Sequence, residues 1–435
     1  MLGSIALAAV LVTIGFSSAL ATETPAEWAG KHVEELTELY RQFHGRPELS
    51  SQEEQTAAKV AELWKQAGAE VQTGIGGHGV VGLIKNGPGP TLMLRTDLDA
   101  LPVVENTGLA YASEVKVKKK DGTATGVMHA CGHDIHITNL VGVAQFLTSN
   151  KPLWSGTVML VGQPAEETGE GARRMLEEGL FTKFPKPDMA VALHVDATLE
   201  TGKIGYRVGY SLANVDSVDV TMQGRGGHGA APHSTIDPIV QAAQLVLALQ
   251  TLVSRETNPV EPAVVTVGSI HGGTKHNVIP DSCHLQLTVR SYTPEVRQRL
   301  LDGIRRKANA VAEGAAAPKP TVEVLNEHTP ALFNDAKLVE RLLPTFRKTL
   351  GESNVVPSEP SMGGEDFSRY GLAGVPIFMF RLGSVEPRRL AGLKRGGQEP
   401  PSLHSAVYFP DADKTLTTGI TAMATAVLDL LPPKK

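Results

Sequence analysis

The sequence predicts an α/β protein: one domain of alternating helices and strands, interrupted by an inserted α+β domain. Three observations carry that reading. The 435 residues exceed what one hydrophobic core normally organises. On both sides of the insertion, short apolar or β-branched runs alternate with helical stretches, and reactive side chains stand just beyond several of the runs. That is the arrangement of a sheet whose site lies outside the carboxyl ends of its strands. Near Gly205 the pattern changes to alternating strands and two helices, the composition of a small antiparallel sheet covered by helices. The expected division is a leader at 1–21, the first part of the interrupted domain at 22–205, the insertion at 206–324, and the second part at 325–435. No repeat or low-complexity linker competes with it.

Residues 28–43 read as an amphipathic helix. A second helix starts after Pro47-Glu48-Leu49-Ser50, where Ser50 and Glu53 have capping-box spacing and Ala57, Ala58, Ala61 and Trp64 form an apolar side. The runs 80–84 and 91–94 are strands joined across Asn86-Gly87-Pro88-Gly89-Pro90, and the second delivers Asp97 and Asp99 beyond its end. A helix at 137–147 leaves Cys131 and His133 in the loop at its entrance. A strand at 157–161, a helix at 171–178 and a strand at 189–193 ending in His194 follow. In the insertion, 215–222, 263–270 and 284–290 are strands, and 238–252 and 294–311 are helices. Helix 338–350, strand 375–380 and a final helix through 422–430 complete the chain. Gly74 to Gly79 and Gly224 to Gly229 both match a dinucleotide fingerprint, but one leads into a strand and the other meets Pro232, so both read as turns.

Apolar residues make up 41% of the chain and charged ones 20%, with a formal net charge of −5, which gives no reason to expect a nucleic-acid partner. The basic run 116–120 ends in a turn signal and reads as a solvated hairpin tip. Residues 2–20 are apolar or small and end in Ala19-Leu20-Ala21, which resembles a secretory leader although no Lys or Arg precedes it. The expectation is a periplasmic or secreted protein with no stable membrane partner after cleavage. Of the two cysteines, Cys131 has neighbours that favour a metal-bound thiolate, and Cys283 reads as a buried strand residue.

The chemistry concentrates in Met128-His129-Ala130-Cys131-Gly132-His133-Asp134-Ile135-His136, which offers a thiolate and three imidazoles beside a carboxylate. Gln163-Pro164-Ala165-Glu166-Glu167 then sets two adjacent carboxylates at a strand end. A hydrolytic metal centre needs ligands for the ion and an unligated carboxylate to accept a proton from water. Adjacent glutamates can divide that labour, because neighbouring side chains need not point the same way.

These runs, with Asp97-Leu98-Asp99-Ala100-Leu101-Pro102, the 224–233 stretch, Asn277-Val278-Ile279-Pro280-Asp281 and Gly364-Glu365-Asp366-Phe367, resemble the M20 metallopeptidase family. Within it the chain is similar to the amidohydrolase branch that includes hippurate hydrolases and plant auxin-conjugate hydrolases. The resemblance covers nearly all of the chain after the leader and implies a two-metal catalytic domain with an inserted lid or dimerisation domain. It implies Cys131, His133, Glu167, His194 and His404 as ligands of two divalent ions, zinc or manganese first and nickel or cobalt as further options; softness alone does not choose among them. It makes Glu166 the general base toward metal-bound water, and Asp99 the carboxylate that orients a ligating histidine. His228 would reach the other subunit's site in a homodimer and help hold the oxyanion, while Asn277 and Arg290 would hold substrate carbonyl and carboxylate groups. The implied reaction is cleavage of the amide bond of a small N-acyl amino acid or dipeptide-like substrate. An exported carboxypeptidase or dipeptidase is the alternative, and a noncatalytic metal-binding protein is a third reading that has no need of a free Glu166. Each residue also has an ordinary role: Glu166 and Asp99 as capping carboxylates, His194 as a satisfied strand-end histidine, His404 as a surface residue, His228 and Asn277 as turn formers, and Arg290 as a solvated strand-end cation.

Overall fold

Short apolar strands become the middle of a sheet when both of their faces find cover, and 92–94 shows how: Leu92 and Leu94 point into one core and Met93 into another. The computed structural model describes residues 23–118, 122–325 and 328–434; the expected leader at 1–21 and the tip of the basic run at 119–121 lie outside the described residues. The large sheet has eight strands in the order Glu70–Ile75, Gly79–Asn86, Gly156–Gln163, Thr91–Asp97, Met189–Glu200, Ile377–Val385, Ile204–Tyr206 and Val355–Pro357. Its centre, from Gly156–Gln163 to Ile377–Val385, is parallel, and antiparallel strands flank it.

One face is covered by the helices Pro25–His44, Glu54–Gln66, His133–Ser149, Ala336–Leu350 and Ala412–Leu430, with Trp28, Tyr40, Trp64, Phe146 and Phe346 in that core. The other face is closed by the short helices Gly171–Glu177, Leu180–Lys183 and Ser368–Leu372 through Met175, Leu180 and Tyr370. His133–Ser149 is apolar almost all round, the mark of a helix enclosed on every side. It runs directly behind the carboxyl ends of the central strands.

A second, four-stranded antiparallel sheet, ordered Ala263–His271, Ser282–Ser291, Asn214–Gln223 and Thr321–Val324, is packed against the helices Pro238–Thr251 and Pro294–Gly314. It has its own core, including Val218, Val220, Leu245, Leu285, Leu287 and Ile304. Cys283 lies buried in that core, and both cysteines are free. Among the described residues, no helix is long and apolar enough to cross a membrane.

The glycine-rich turn at 74–79 joins two antiparallel strands, and the basic run enters a hairpin of Lys116–Lys118 against Ala124–Gly126. Two local expectations are corrected. The helix expected from residue 137 begins at His133, because Gly132, with φ 76°, turns the chain one residue after Cys131; a Cβ there would meet Val195 Cγ2 at 2.6 Å. The capping box of Ser50 and Glu53 does not form. Glu48 instead accepts from the Thr56 N–H at 2.7 Å, while Ser50 and Glu53 turn toward the carboxylate-rich mouth of the sheet.

Candidate active site and metal centre

Three strands and one helix deliver the site. Thr91–Asp97 brings Asp97 and then Asp99, Gly156–Gln163 leads to Glu166 and Glu167, and Met189–Glu200 carries His194; His133–Ser149 opposes them with Cys131 just ahead of its first turn. His404 arrives from the loop before Ala412–Leu430, its N–H bonded to the Ala130 carbonyl at 2.9 Å. His404 and Ala165 both hold positive φ, 68° and 52°, a strained setting for residues with a Cβ. Glu53 helps impose it at Ala165 by accepting that residue's N–H at 2.7 Å, directly before Glu166.

The histidine tautomers follow from their partners. His133 Nδ1 faces the Asp99 backbone carbonyl at 2.8 Å and must donate, so Nε2 is the nitrogen that turns a lone pair outward when the ring is neutral. His194 Nδ1 likewise donates to the Val195 carbonyl at 2.8 Å, freeing Nε2, which lies 3.5 Å from Cys131 Sγ. His136 is spent: Nε2 accepts from the Val195 N–H at 2.9 Å and Nδ1 donates to Asp97 Oδ1 at 2.7 Å. The family resemblance implies that Asp99 orients a histidine through its carboxylate. The closer acceptor for His133 is the Asp99 backbone oxygen, with Oδ1 at 3.4 Å. The other carboxylate oxygen of Asp99 accepts from Ser50 at 2.6 Å and from the Glu167 N–H at 3.0 Å.

Cys131 belongs to two groups whose ligand atoms lie within 4.8 Å of one another, one with His133 and His194, the other with Glu167 and His404. The five predicted ligands therefore form two triads that share one sulfur. His133 Nε2 and Glu167 Oε1 are buried without a hydrogen-bond partner and stand 3.9 Å apart, too far to satisfy each other. Burial pushes the Cys131 thiol up, and burial followed by the nearness of Asp99 outweighs His133 to raise Glu167 to about 7. Buried, unpaired atoms of an imidazole and a carboxylate beside a buried thiol are what a divalent cation satisfies, so this residue set fits the metal that the chemistry demands.

Glu166 stands beside that set, buried, with Oε2 3.9 Å from His133 Nε2. Burial first, then the neighbouring Glu365 and Glu167, hold its carboxyl well above the usual range. Beneath it runs a network that the sequence reading missed. Arg95, fully buried, donates to Asp97 at 2.7 Å, Glu365 at 2.9 Å, Gln163 at 3.1 Å and Asp366 at 3.3 Å. An arginine inside an otherwise apolar strand was the available signal, since a buried guanidinium requires carboxylates.

A cleft of about 990 Å³ opens over these groups, lined among others by Cys131, Glu166, Glu167, His194, His404 and Arg290. Arg290 is half-buried and gives Nη1 to the Met362 carbonyl at 2.7 Å. The structure does not bring His228 or Asn277 into this cleft. They stand together and exposed on the inserted domain, where His228 pairs with Val278 in a two-stranded ladder and its Nδ1 accepts from the Ala230 N–H at 3.0 Å.

The profile of peptidase family M20/M25/M40 matches residues 93–393, more than half of the sequence. The chain belongs to that family. The match encloses Cys131, His133, Glu166, Glu167 and His194, and His404 lies beyond it. Among relatives, this M20 chain is 38% identical over 358 residues to thermostable carboxypeptidase 1 of Saccharolobus solfataricus, covering 81% of this chain and 87% of that one. It is 37% identical over 339 residues to N-acetyl-L-cysteine deacetylase of Bacillus subtilis, 77% of each chain. The crystal structure of the Bacillus subtilis YXEP protein, described as a dinuclear metal binding peptidase from the M20 family, superposes with a TM-score of 0.74 at 29% identity, covering 92% of this chain and 99% of that one.

Proposed function

We propose that this M20 enzyme is a metal-dependent amidohydrolase that cleaves the amide bond of N-acyl amino acids or related small conjugates. The observation that carries the reading is a set of five converging ligand side chains with buried, unsatisfied His133 and Glu167 atoms, beside a separate buried carboxylate, Glu166. Two divalent ions, zinc or manganese, would be held by Cys131, His133, Glu167, His194 and His404, and would polarise the scissile carbonyl and acidify water. Glu166 takes the proton of the attacking water and returns it to the departing amide nitrogen. Its environment suits that cycle, because a carboxylate with raised proton affinity is a stronger base than an exposed one. Arg290, which lines the cleft, would hold a substrate carboxylate with the donors that remain after its bond to Met362.

The inserted domain supports a homodimer in this reading, with His228 and Asn277 completing the partner's site, since neither reaches the cleft of its own chain. The leader supports export to the periplasm or medium with cleavage after Ala21, which intact-mass measurement from the native host tests by Thr22 as the first residue. The deciding assay for the reaction compares metal-stripped and metal-reloaded enzyme on N-acyl amino acids and on unblocked dipeptides. Metal-dependent cleavage favouring acyl substrates is the expected result. A preference for unblocked peptides would instead identify a carboxypeptidase or dipeptidase, and no cleavage of either after reloading would defeat the reading.

A further inference from the structure

The strand Ile377–Val385 sorts its residues by parity. Phe378, Phe380 and Leu382 enter the core under the long helices, and Ile377 and Met379 the opposite one. Arg381 continues the second set. In the neighbouring parallel strand, Ala190 and Ala192 lead on the same side to His194, and the register pairs Arg381 with His194. Arg381 therefore stands one interstrand spacing, roughly 4.8 Å, from a candidate ligand and on the same face.

It is half-buried and lines the cleft. Arg290, which also lines it, gives one of its donors to the Met362 carbonyl, whereas the Arg381 side chain has no hydrogen-bond or ion-pair partner among the described residues. Nearby carboxylates are engaged elsewhere: Asp196 accepts from Thr198 at 2.7 Å, and Glu359, 97% exposed, faces Arg207 at 3.9 Å. Asp97, Glu365 and Asp366 are held by Arg95. A guanidinium keeps its charge at any working pH and presents a planar fork of donors, so leaving it half-desolvated and unpaired is costly unless an anion arrives. Strand order sets that anion's place. Across the sheet edge come the strand leading to Glu166, then the strand of Asp97, then His194, then Arg381, so the candidate ligands separate base from guanidinium.

We propose that Arg381 receives a carboxylate of the substrate on the side of the cleft away from Glu166 and thereby selects anionic amides. The choice of amides rests on the function proposed above, while the anion site does not. The carboxylate can be the α-carboxylate of the amino acid half or one at the tip of the acyl half, and the same guanidinium serves either.

Calorimetry on the metal-loaded Glu166→Gln enzyme, which is expected to turn over ~10²–10⁴-fold more slowly, separates the cases with three ligands: an N-acetyl amino acid, an N-succinyl amino acid amide, and the neutral N-acetyl amino acid amide. Adding Arg381→Gln should weaken one carboxylate ligand by about 10- to 100-fold, the worth of a charge-assisted bond, and leave the neutral ligand unchanged. Arg381→Lys, which keeps the charge and loses the fork, should restore part of the loss. The ligand that suffers identifies the carboxylate. The proposal is overturned if neither carboxylate ligand outbinds the neutral amide in the parent, or if Arg381→Gln weakens all three alike or none. Should the wild-type enzyme cleave none of these amides while the Arg381-dependent preference persists, the amidohydrolase reading fails and the anion site stands.

Discussion

Replacing Glu166 by Gln keeps the size of the side chain and removes its capacity to carry a proton between water and the leaving nitrogen. Glu166 is buried, 3.9 Å from His133 Nε2, and crowded by Glu365 and Glu167. Its ionised form is thus held at some cost to the folded enzyme, and the neutral amide relieves that cost. Two opposite effects follow. Turnover should fall by ~10²–10⁴-fold, the usual worth of general acid–base catalysis, equivalent to ~2.7–5.4 kcal/mol of barrier. The thermal midpoint of the metal-free protein should stay level or rise. Divalent-ion affinity should weaken by no more than ~10-fold, the lower end for residues that support ligands without being ligands. Steady-state kinetics with substrate in excess, elemental analysis of the loaded protein and a melting curve measure the three quantities. Near-wild-type kcat in a folded, fully metallated Glu166→Gln enzyme would refute the base assignment. A joint collapse of stability and activity would mean that Glu166 holds the structure rather than the proton.

Arg95→Met leaves Asp97, Glu365 and Asp366 buried without their shared cation; breaking such a network from one side should lower unfolding free energy by about 3–5 kcal/mol in denaturant titrations. His44 is pushed down by burial, but Asp134 at 2.7 Å and Glu105 at 3.1 Å together lift it from 6.5 to about 9. Its contribution to stability is therefore complete below pH 6.5 and lost as pH rises through about 9. Melting curves of the wild type should fall across that window by more than those of His44→Gln. Subunit exchange between His228→Ala and Glu166→Gln proteins should recover activity, because one site of the mixed dimer then holds both intact groups; a verified mixed dimer that stays inactive counts against sharing across subunits.

The parts of this fold that sequence reasoning reaches are those set by local period and by donor chemistry. The short apolar runs 91–94 and 189–193 are buried strands, and ligand atoms of Cys131, His133, Glu167, His194 and His404 lie in two groups that share Cys131. Local rules failed where the site overrode them. Ser50 and Glu53 have the spacing of a helix cap, yet their side chains serve Asp99 and Ala165 across gaps of 49 and 112 residues. Arg95 finds Glu365 270 residues away, a pairing that only strand order reveals. His133 and His136 both spend Nδ1 on an acceptor, and the contact that separates them is non-local: the Val195 N–H occupies Nε2 of His136, while Nε2 of His133 has no hydrogen-bond partner.

The order of strands also dictates an order of assembly during synthesis. Every strand of the four-stranded sheet lies between Asn214 and Val324, so that unit can fold as soon as its own segment is made. The eight-stranded sheet must wait, because Met189–Glu200 has Ile377–Val385 as a neighbour and the two are separated by the whole insertion. His404 comes later still. From residue 194 to residue 404 a growing chain thus carries Cys131, His133 and His194 without the histidine that completes the second triad, and the set of ligands is whole only once the loop before Ala412–Leu430 has been made.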